Sequence, residues 1–557
     1  MTDKLLKTLV NIDDLGPILV KISLWAVLVM GVFFLFYTAN FRGLDTEDSM
    51  ECAQIARNIA SGRGFTTNFI TPLSLSYYNR LKDTGDTLPE NFPDLSNPPL
   101  YPLWLSLIFS FLAPSMTFSG YAAHADKIVS LLGSGIFFMV TAVLVYFFAK
   151  KMFDKKIAYL SLLLYIVCLN QLKIAISGDS LAMLAFLTTA FLYSLYVTDG
   201  ENIVPVVFAG VFAGLCFLCR FSFGIFIFPV LVYYTVSFRQ KRAVFSSVFI
   251  SVFIVTVMPW LIRNALVAGN PFFSLGTYNI FAYTNAFPAH EYMRSFSTEA
   301  LSKAVSLSDV LGKTVTGLKS GYLSLINLSD NFLICFIVAA VFYSFADRKI
   351  NRFRFLVYSL FVFVLVAAAA FFPSGNNLSV FVPFFVIISS GFFVKALCDF
   401  NKPKMLKSWV AVIVMILIFI LPPFIFSITR KNRSLPYYIF NDKKTGLVNA
   451  VTEAMVEIPE DTLIVSDVPW AVAWYGNVKT IWLPWDIGEF KVLTEKGYNM
   501  EYAFFSSMLL SYPNMPEWRN ILMGRIPIET GFKYGRAVSE NPLNVVLSRY
   551  PFKEDKK

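Results

Sequence analysis

Apolar runs of membrane length recur along this chain, separated by short basic links and by a few longer polar stretches. A spanning helix needs about 20 apolar residues, and by that measure the sequence offers about eleven candidates. They begin near Ile18, Ile128, Ile157, Ser180, Val204, Phe221, Ala243, Asn331, Phe355, Ser379 and Ser408. The first is long enough to span and lacks a small-residue cleavage site, so it reads as a signal anchor. Four links are strongly basic: KKMFDKK (150–156), FRQKR (238–242), DRKINRFR (347–354) and NKPKMLK (401–407). The positive-inside rule assigns all four to the cytoplasm. With the amino terminus also inside, that assignment holds only if the apolar stretch PPLYPLWLSLIFSFLAP (98–114) is not a span. It is expected to lie along the membrane surface, opened by Pro98 and Pro99 and closed by Pro114.

The expected fold is an α-helical polytopic membrane protein, residues 1–428, followed by a soluble α/β domain, residues 429–557. The outside receives a loop at 40–127 with juxtamembrane helices, a tight turn at ISGDS (176–180), a loop at 261–330 and the carboxy-terminal domain. In that domain LVNAVTEAMVEIPED fits an amphipathic helix, DTLIVSD and KTIWLPW fit short buried strands, and VPWAVAWYG lies between them at helical spacing.

Composition agrees with the pattern. Of 557 residues 56% are hydrophobic and 15% charged, against roughly 25% charged in soluble domains. The net charge of +10 resides in the short links rather than in a basic face, so no nucleic-acid partner is expected and membrane lipids are. The six cysteines lie mostly in apolar runs and make no disulfide framework, and Cys216 with Cys219 reads as two small apolar residues rather than a redox pair.

The stretch with most chemistry is LDTEDSMECAQIARNIASGRGF, directly after the first apolar run. Asp45, Glu47, Asp48 and Glu51 fall within seven residues and precede a short amphipathic helix that stops at Gly62 and Gly64. Alone, such a cluster is a solvated loop start. Three further ionisable residues fall at the outer ends of spans: Asp179, Arg220 and Arg263. Asp179 could instead cap the next helix, and each arginine could instead snorkel to lipid headgroups. Together they suggest one site, in which a carboxylate deprotonates a hydroxyl or amine while guanidinium groups hold a departing phosphate. His124 and His290 are the only histidines, and His290 with Glu291 is the weak candidate for a metal. The tryptophans of VPWAVAWYG suit a core or an interface anchor better than a sugar platform.

EDSMECAQIARNIASGRGF, NPPLYPLWLSLIF, KKMFDKKIAYLSLLLY leading to SGDSLAMLAFL, AGVFAGLCFLCRFSFG and MPWLIRNALVAGNPFF resemble, in that order, the GT-C membrane glycosyltransferases. The nearest likeness is to the bacterial and archaeal relatives of protein mannosyltransferases and aminoarabinose–lipid A transferases. VSDVPWAVAWYGNVKTIWLP is similar to the external domain of some members. The resemblance implies a polyprenyl-phosphate sugar donor, an inverting transfer, and an external active site on a bacterial inner membrane. The acceptor would be a protein, lipid or glycan. It also implies Asp48 as general base, and Arg220, Arg263 and Lys127 as donor-phosphate ligands. Asp179, Glu47 and Arg57 would orient substrate or buttress the loop. Two features depart from the family: Met50 and Cys52 stand where a tyrosine is common, and Lys127 replaces an arginine. No cofactor is implied with certainty; a divalent metal is compatible, since members differ in metal dependence. Competing classes are a transporter or flippase of lipid-linked sugars, a polysaccharide ligase or polymerase, and an inactive scaffold.

Overall fold

The computed structural model describes residues 2–82, 88–119, 122–287, 291–296, 305–328, 333–371, 375–400, 421–429, 446–459, 462–511, 515–525, 530–538 and 543–552. Helix α1 (Thr2–Asn40) leads into α2 (Glu47–Ala60), which opens the first loop. Thr46 accepts from Ser49 N and caps α2, and Glu47 and Asp48 occupy the first turn, where the helix dipole favours carboxylates. Gly62 and Gly64 follow at φ +79° and +73°, a left-handed backbone that stops the helix as the sequence suggested. Strand β1 (Phe69–Ile70) and helix α3 (Pro72–Lys82) come next.

Helix α4 (Leu100–Leu112) is the Pro-bounded stretch. Its 13 residues give only about 20 Å, too short for a hydrocarbon core of about 30 Å. Tyr101, Leu105, Ile108 and Phe109 are buried, while Leu103, Leu107 and Phe111 remain exposed in a stripe four residues apart. A short hairpin of β2 (Phe118–Ser119) and β3 (Ala122–Ala123) then leads to α5 (His124–Ile128), which runs through a π-helical segment into α6 (Ile136–Met152).

After α7 (Lys155–Ile166) and α8 (Leu169–Ser177) the chain turns at Gly178 into α9 (Leu181–Val197). Gly178 has φ +75°, and a Cβ there would meet Leu44 Cδ2 at 2.5 Å. Tyr101 Oη donates to the Gly178 carbonyl at 2.7 Å, so the first loop and α4 both press on this turn. Helices α10 (Val204–Cys219), α11 (Ile227–Ser237) and α12 (Arg242–Ala268) complete the amino-terminal part. Gly210 lies against Val252 and Gly214 against Thr256, so α10 and α12 run parallel in close contact. Each therefore delivers its terminal arginine, Arg220 or Arg263, to the same side.

Among the described residues five helices are long and apolar enough to cross a bilayer: 20–40, 124–152, 242–268, 348–371 and 378–397. Counting the bent pair α7–α8 as one broken span gives up to six. The expected eleven is not reached by length alone, because α9 and α10 have 17 and 16 residues and Leu333–Phe342 has 10. The candidate from Ser408 begins outside the described residues.

Strands β4 (Ile464–Ser466), β5 (Thr480–Trp482), β6 (Tyr502–Phe505), β7 (Tyr534–Ala537) and β8 (Val545–Ser548) join β1 in a six-stranded sheet of order β1-β5-β4-β6-β8-β7. β1, β5, β4 and β6 are parallel, and β8 and β7 are antiparallel. The amphipathic segment forms a helix at Leu447–Glu457, and VPWAVAWYG forms a short helix with a π turn between β4 and β5. One feature departs from a division at residue 429: β1 comes from the first loop, with Phe69 opposite Thr480 and Ile70 opposite Ile481.

Candidate active site

A cavity of about 560 Å³ opens where the first turn of α2, the end of α10 and the tip of β5 meet. Glu47, Asp48, Glu51, Asp94, Asn97, Arg220 and Trp482 all line it. Its size suits a small-molecule substrate.

Arg220 is at the C-cap of α10, and its Nη2 donates to Asp48 Oδ2 at 2.9 Å. The same nitrogen stands 3.9 Å from Asp179 Oδ1. The first loop, the α8–α9 turn and α10 therefore converge on one guanidinium. The Asp48 side chain is 56% exposed to the cavity, whereas that of Asp179 is 8% exposed. Asp179 does not cap α9, since Ser180 holds the N-cap position with no side-chain cap bond. Its carboxylate instead accepts from Ser180 Oγ at 3.1 Å and faces Arg220. Burial raises the Asp179 carboxyl, Asp48 raises it further, and Arg220 opposes both.

A second group of carboxyls lies behind Asp48. Glu51, one helical turn on, accepts from Asn97 Nδ2 at 2.6 Å, and that amide also reaches Asp94 Oδ2 at 3.1 Å. Asp94 Oδ1 accepts the backbone N–H groups of Ser96 and Asn97 at 3.0 and 2.7 Å. Burial pushes Glu51 well above the carboxylate range, Asp94 adds to this, and Asn97 opposes it. Glu47 is open to the cavity but walled by protein, and burial with the neighbouring Asp48 lifts it to about 7.

The other expected site residues are used differently. Arg263 does not line the cavity. Its Nη2 donates to the carbonyls of Asp94 at 2.7 Å and Phe65 at 3.4 Å, and its guanidinium covers the Trp260 ring at 4.7 Å. It fastens the first loop, and its Nη1 donates to Asn264 Oδ1 at 3.1 Å. Arg57 donates to the carbonyls of Ala473 and Trp474 at 2.7 and 2.8 Å and lies over the Trp474 ring, tying α2 to the carboxy-terminal sheet region. Lys127 follows Asp126 in α5 and is not among the cavity's lining residues. Asp126 accepts from Trp474 Nε1 at 2.9 Å and Tyr475 Oη at 3.1 Å, so the tryptophan motif is an interface anchor. His290 and the Glu291 side chain lie outside the described residues. Among the described residues no three His, Cys, Asp or Glu side chains converge in a metal-holding group.

Sequence reading passed over Asp94, Asn97, Ser222 and Trp482, all at the cavity. Only Asp94 carried a local signal: an Asp followed two and three residues later by backbone donors is a turn motif.

A family profile described as dolichyl-phosphate-mannose-protein mannosyltransferase matches residues 115–262. No curated protein matches the chain. The oligosaccharyltransferase of Archaeoglobus fulgidus, in complex with Zn and sulfate, superposes with a TM-score of 0.57 at 13% identity, covering 90% of this chain and 70% of that one. AglB from the same organism, in complex with an inhibitory peptide and a dolichol-phosphate, gives 0.56 at 12% identity over 92% and 72%. ArnT from Cupriavidus metallidurans, bound to undecaprenyl phosphate, gives 0.54 at 13% identity over 95% of this chain and 98% of that one. The chain is an integral membrane protein that resembles the GT-C glycosyltransferases, in sequence over 115–262 and in fold over nearly its whole length.

Proposed function

We propose that this protein is an inverting glycosyltransferase that moves a sugar from a polyprenyl-phosphate carrier to an acceptor on the external face of the membrane. The observation that carries the reading is the contact of Asp48 with Arg220, at the cavity where the first loop meets the end of a parallel helix pair. A base and a phosphate ligand have to stand together there, and these two side chains do. Support comes from the fold neighbours whose structures contain dolichol-phosphate or undecaprenyl phosphate. The acceptor is a protein, lipid or glycan bearing a hydroxyl or amine.

Asp48 is the general base. It takes the proton of the acceptor O–H or N–H as that atom attacks the anomeric carbon, on the face opposite the phosphate. The bond from that carbon to the phosphate oxygen breaks, and polyprenyl phosphate leaves with the electron pair. Arg220 faces the developing charge with a planar fork matched to phosphate oxygens. Without substrate the fork is engaged by Asp48, so an arriving phosphate draws Arg220 toward itself and releases Asp48 to act as base. Asp179, the buried partner, holds the guanidinium in place. Arg263 is assigned to the scaffold, where it fastens the first loop.

The test is release of polyprenyl phosphate from a sugar-charged carrier by purified protein in lipid. Asp48→Asn should lower turnover by about a thousandfold while leaving donor affinity near that of the parent. Undiminished turnover in folded Asp48→Asn protein removes this mechanism.

A further inference from the structure

Glu51 stands one helical turn beyond Asp48 on the same face of α2, and Asn97 stands just before the prolines that open α4. Both line the cavity, and Asn97 Nδ2 joins them through its 2.6 Å bond to Glu51 Oε1. The direction of that amide is fixed. One of its hydrogens goes to Glu51 and the other to Asp94 Oδ2, and Asp94 is held in turn by the backbone N–H groups of Ser96 and Asn97. Turned over, the amide would set its oxygen against two carboxyl groups. Two oxygens are left over. Glu51 Oε2 and Asn97 Oδ1 meet no hydrogen-bond partner among the described residues, and neither is sealed away from the cavity as a buried unpaired atom. They form a rigid polar pair, braced from behind and open in front. Phosphate is drawn to Arg220 rather than to carboxyl groups, and the polyprenyl chain has no polar atom beyond its phosphate. The reacting atom of the acceptor goes to Asp48. The sugar between them carries hydroxyl groups on neighbouring carbons, and a hydroxyl both donates and accepts, so it suits Glu51 with or without a proton on that carboxyl.

We infer that Glu51 and Asn97 select the donor sugar: Glu51 Oε2 and Asn97 Oδ1 bind two neighbouring hydroxyl groups of the sugar that is transferred. The inference rests on the proposed glycosyltransferase reading and deepens it by naming the groups that read the sugar. Asp94 acts behind them as a positioning residue, since its side chain fixes the Asn97 amide and its own carbonyl is gripped by Arg263.

The test is a binding titration without acceptor, which keeps any acceptor contact out of the readout. Bare undecaprenyl phosphate and a panel of its hexosyl and pentosyl conjugates are titrated onto the full chain in nanodiscs, followed by single-deoxy versions of the preferred conjugate. The parent is expected to prefer at least one conjugate over the bare carrier, and to lose about tenfold in affinity when either of two neighbouring hydroxyls is removed, the worth of one hydrogen bond. Glu51→Leu should reduce the preference for the conjugate about tenfold, with affinity for the bare carrier unchanged. One of those two deoxy conjugates should bind Glu51→Leu no more weakly than the full sugar does, because the contact it lacks is already gone. A purely structural role for Glu51 would weaken bare and conjugated carrier alike, and that result overturns the inference. So does a Glu51→Leu protein in which every deoxy loss persists. The scan on the parent decides without any variant: a carrier bound equally well with and without sugar, or a conjugate indifferent to every hydroxyl, overturns the inference. A parent chain that binds no carrier at all overturns the glycosyltransferase reading, a failure visible before Glu51 is touched.

Discussion

Arg220 and Arg263 look alike in the sequence: each ends an apolar run, and the parallel packing of α10 on α12 brings them to the same side of the membrane helices. Their fates differ. Arg220 meets two carboxylates and lines the cavity; Arg263 donates to two backbone carbonyls and the Asn264 amide oxygen, lies over an indole, and does not line it. The difference is one of partner charge. A guanidinium between carboxylates can exchange one of them for a phosphate at little net cost, because an anion replaces an anion. A guanidinium bonded to carbonyls has no such exchange open to it, since its departure would strand buried acceptors. An arginine at the end of a span is thus made a ligand or a clamp by what the rest of the chain places opposite it.

The comparison is open to direct attack. Arg220→Ala should cost about a hundredfold or more in kcat/KM for the donor, measured by carrier release on protein shown by melting to be folded. If both arginines served the phosphate, Arg263→Ala would match it. The expectation instead is a stability loss of about 2 kcal/mol, from two orphaned carbonyls, with a smaller activity loss that tracks the melting temperature. The smallest effect concerns pH. Glu47 is held up to about 7 by burial and by Asp48, so it is neutral below that pH and ionised above it. An added negative charge beside Asp48 at the cavity repels the donor phosphate, and donor KM should rise a few-fold as pH passes upward through 7. In Glu47→Gln that inflection should vanish; its persistence would assign the titration to another group.

Much of this fold could be read from local pattern. The stop of α2 at Gly62 and Gly64, the Pro-bounded α4, strands β4 and β5 and the helix at Leu447–Glu457 each follow from neighbours a few residues away. At the site, Asp48 and Arg220 stood out because ionisable groups at span ends are costly and seldom idle. What could not be read depends on distant partners. The Asp48–Arg220 contact closes 172 residues of chain, and the Arg57–Trp474 bond closes 417. Nothing near Arg263 announces that its guanidinium will meet the carbonyl of Asp94. A two-residue strand such as β1 has no periodicity to detect, and Trp482 reads as an ordinary buried strand residue until the cavity beside it is seen.

Because the first loop lends its strand to the far end of the chain, an exchange of carboxy-terminal regions between proteins of this fold would break the molecule at the wrong place. A chimera cut near 429 keeps β1 but loses the β5 edge that fits it, leaving Phe69 and Ile70 beside a stranger's backbone. A workable graft would carry residues 66–72 along with the donor's tail, as one inheritance in two pieces.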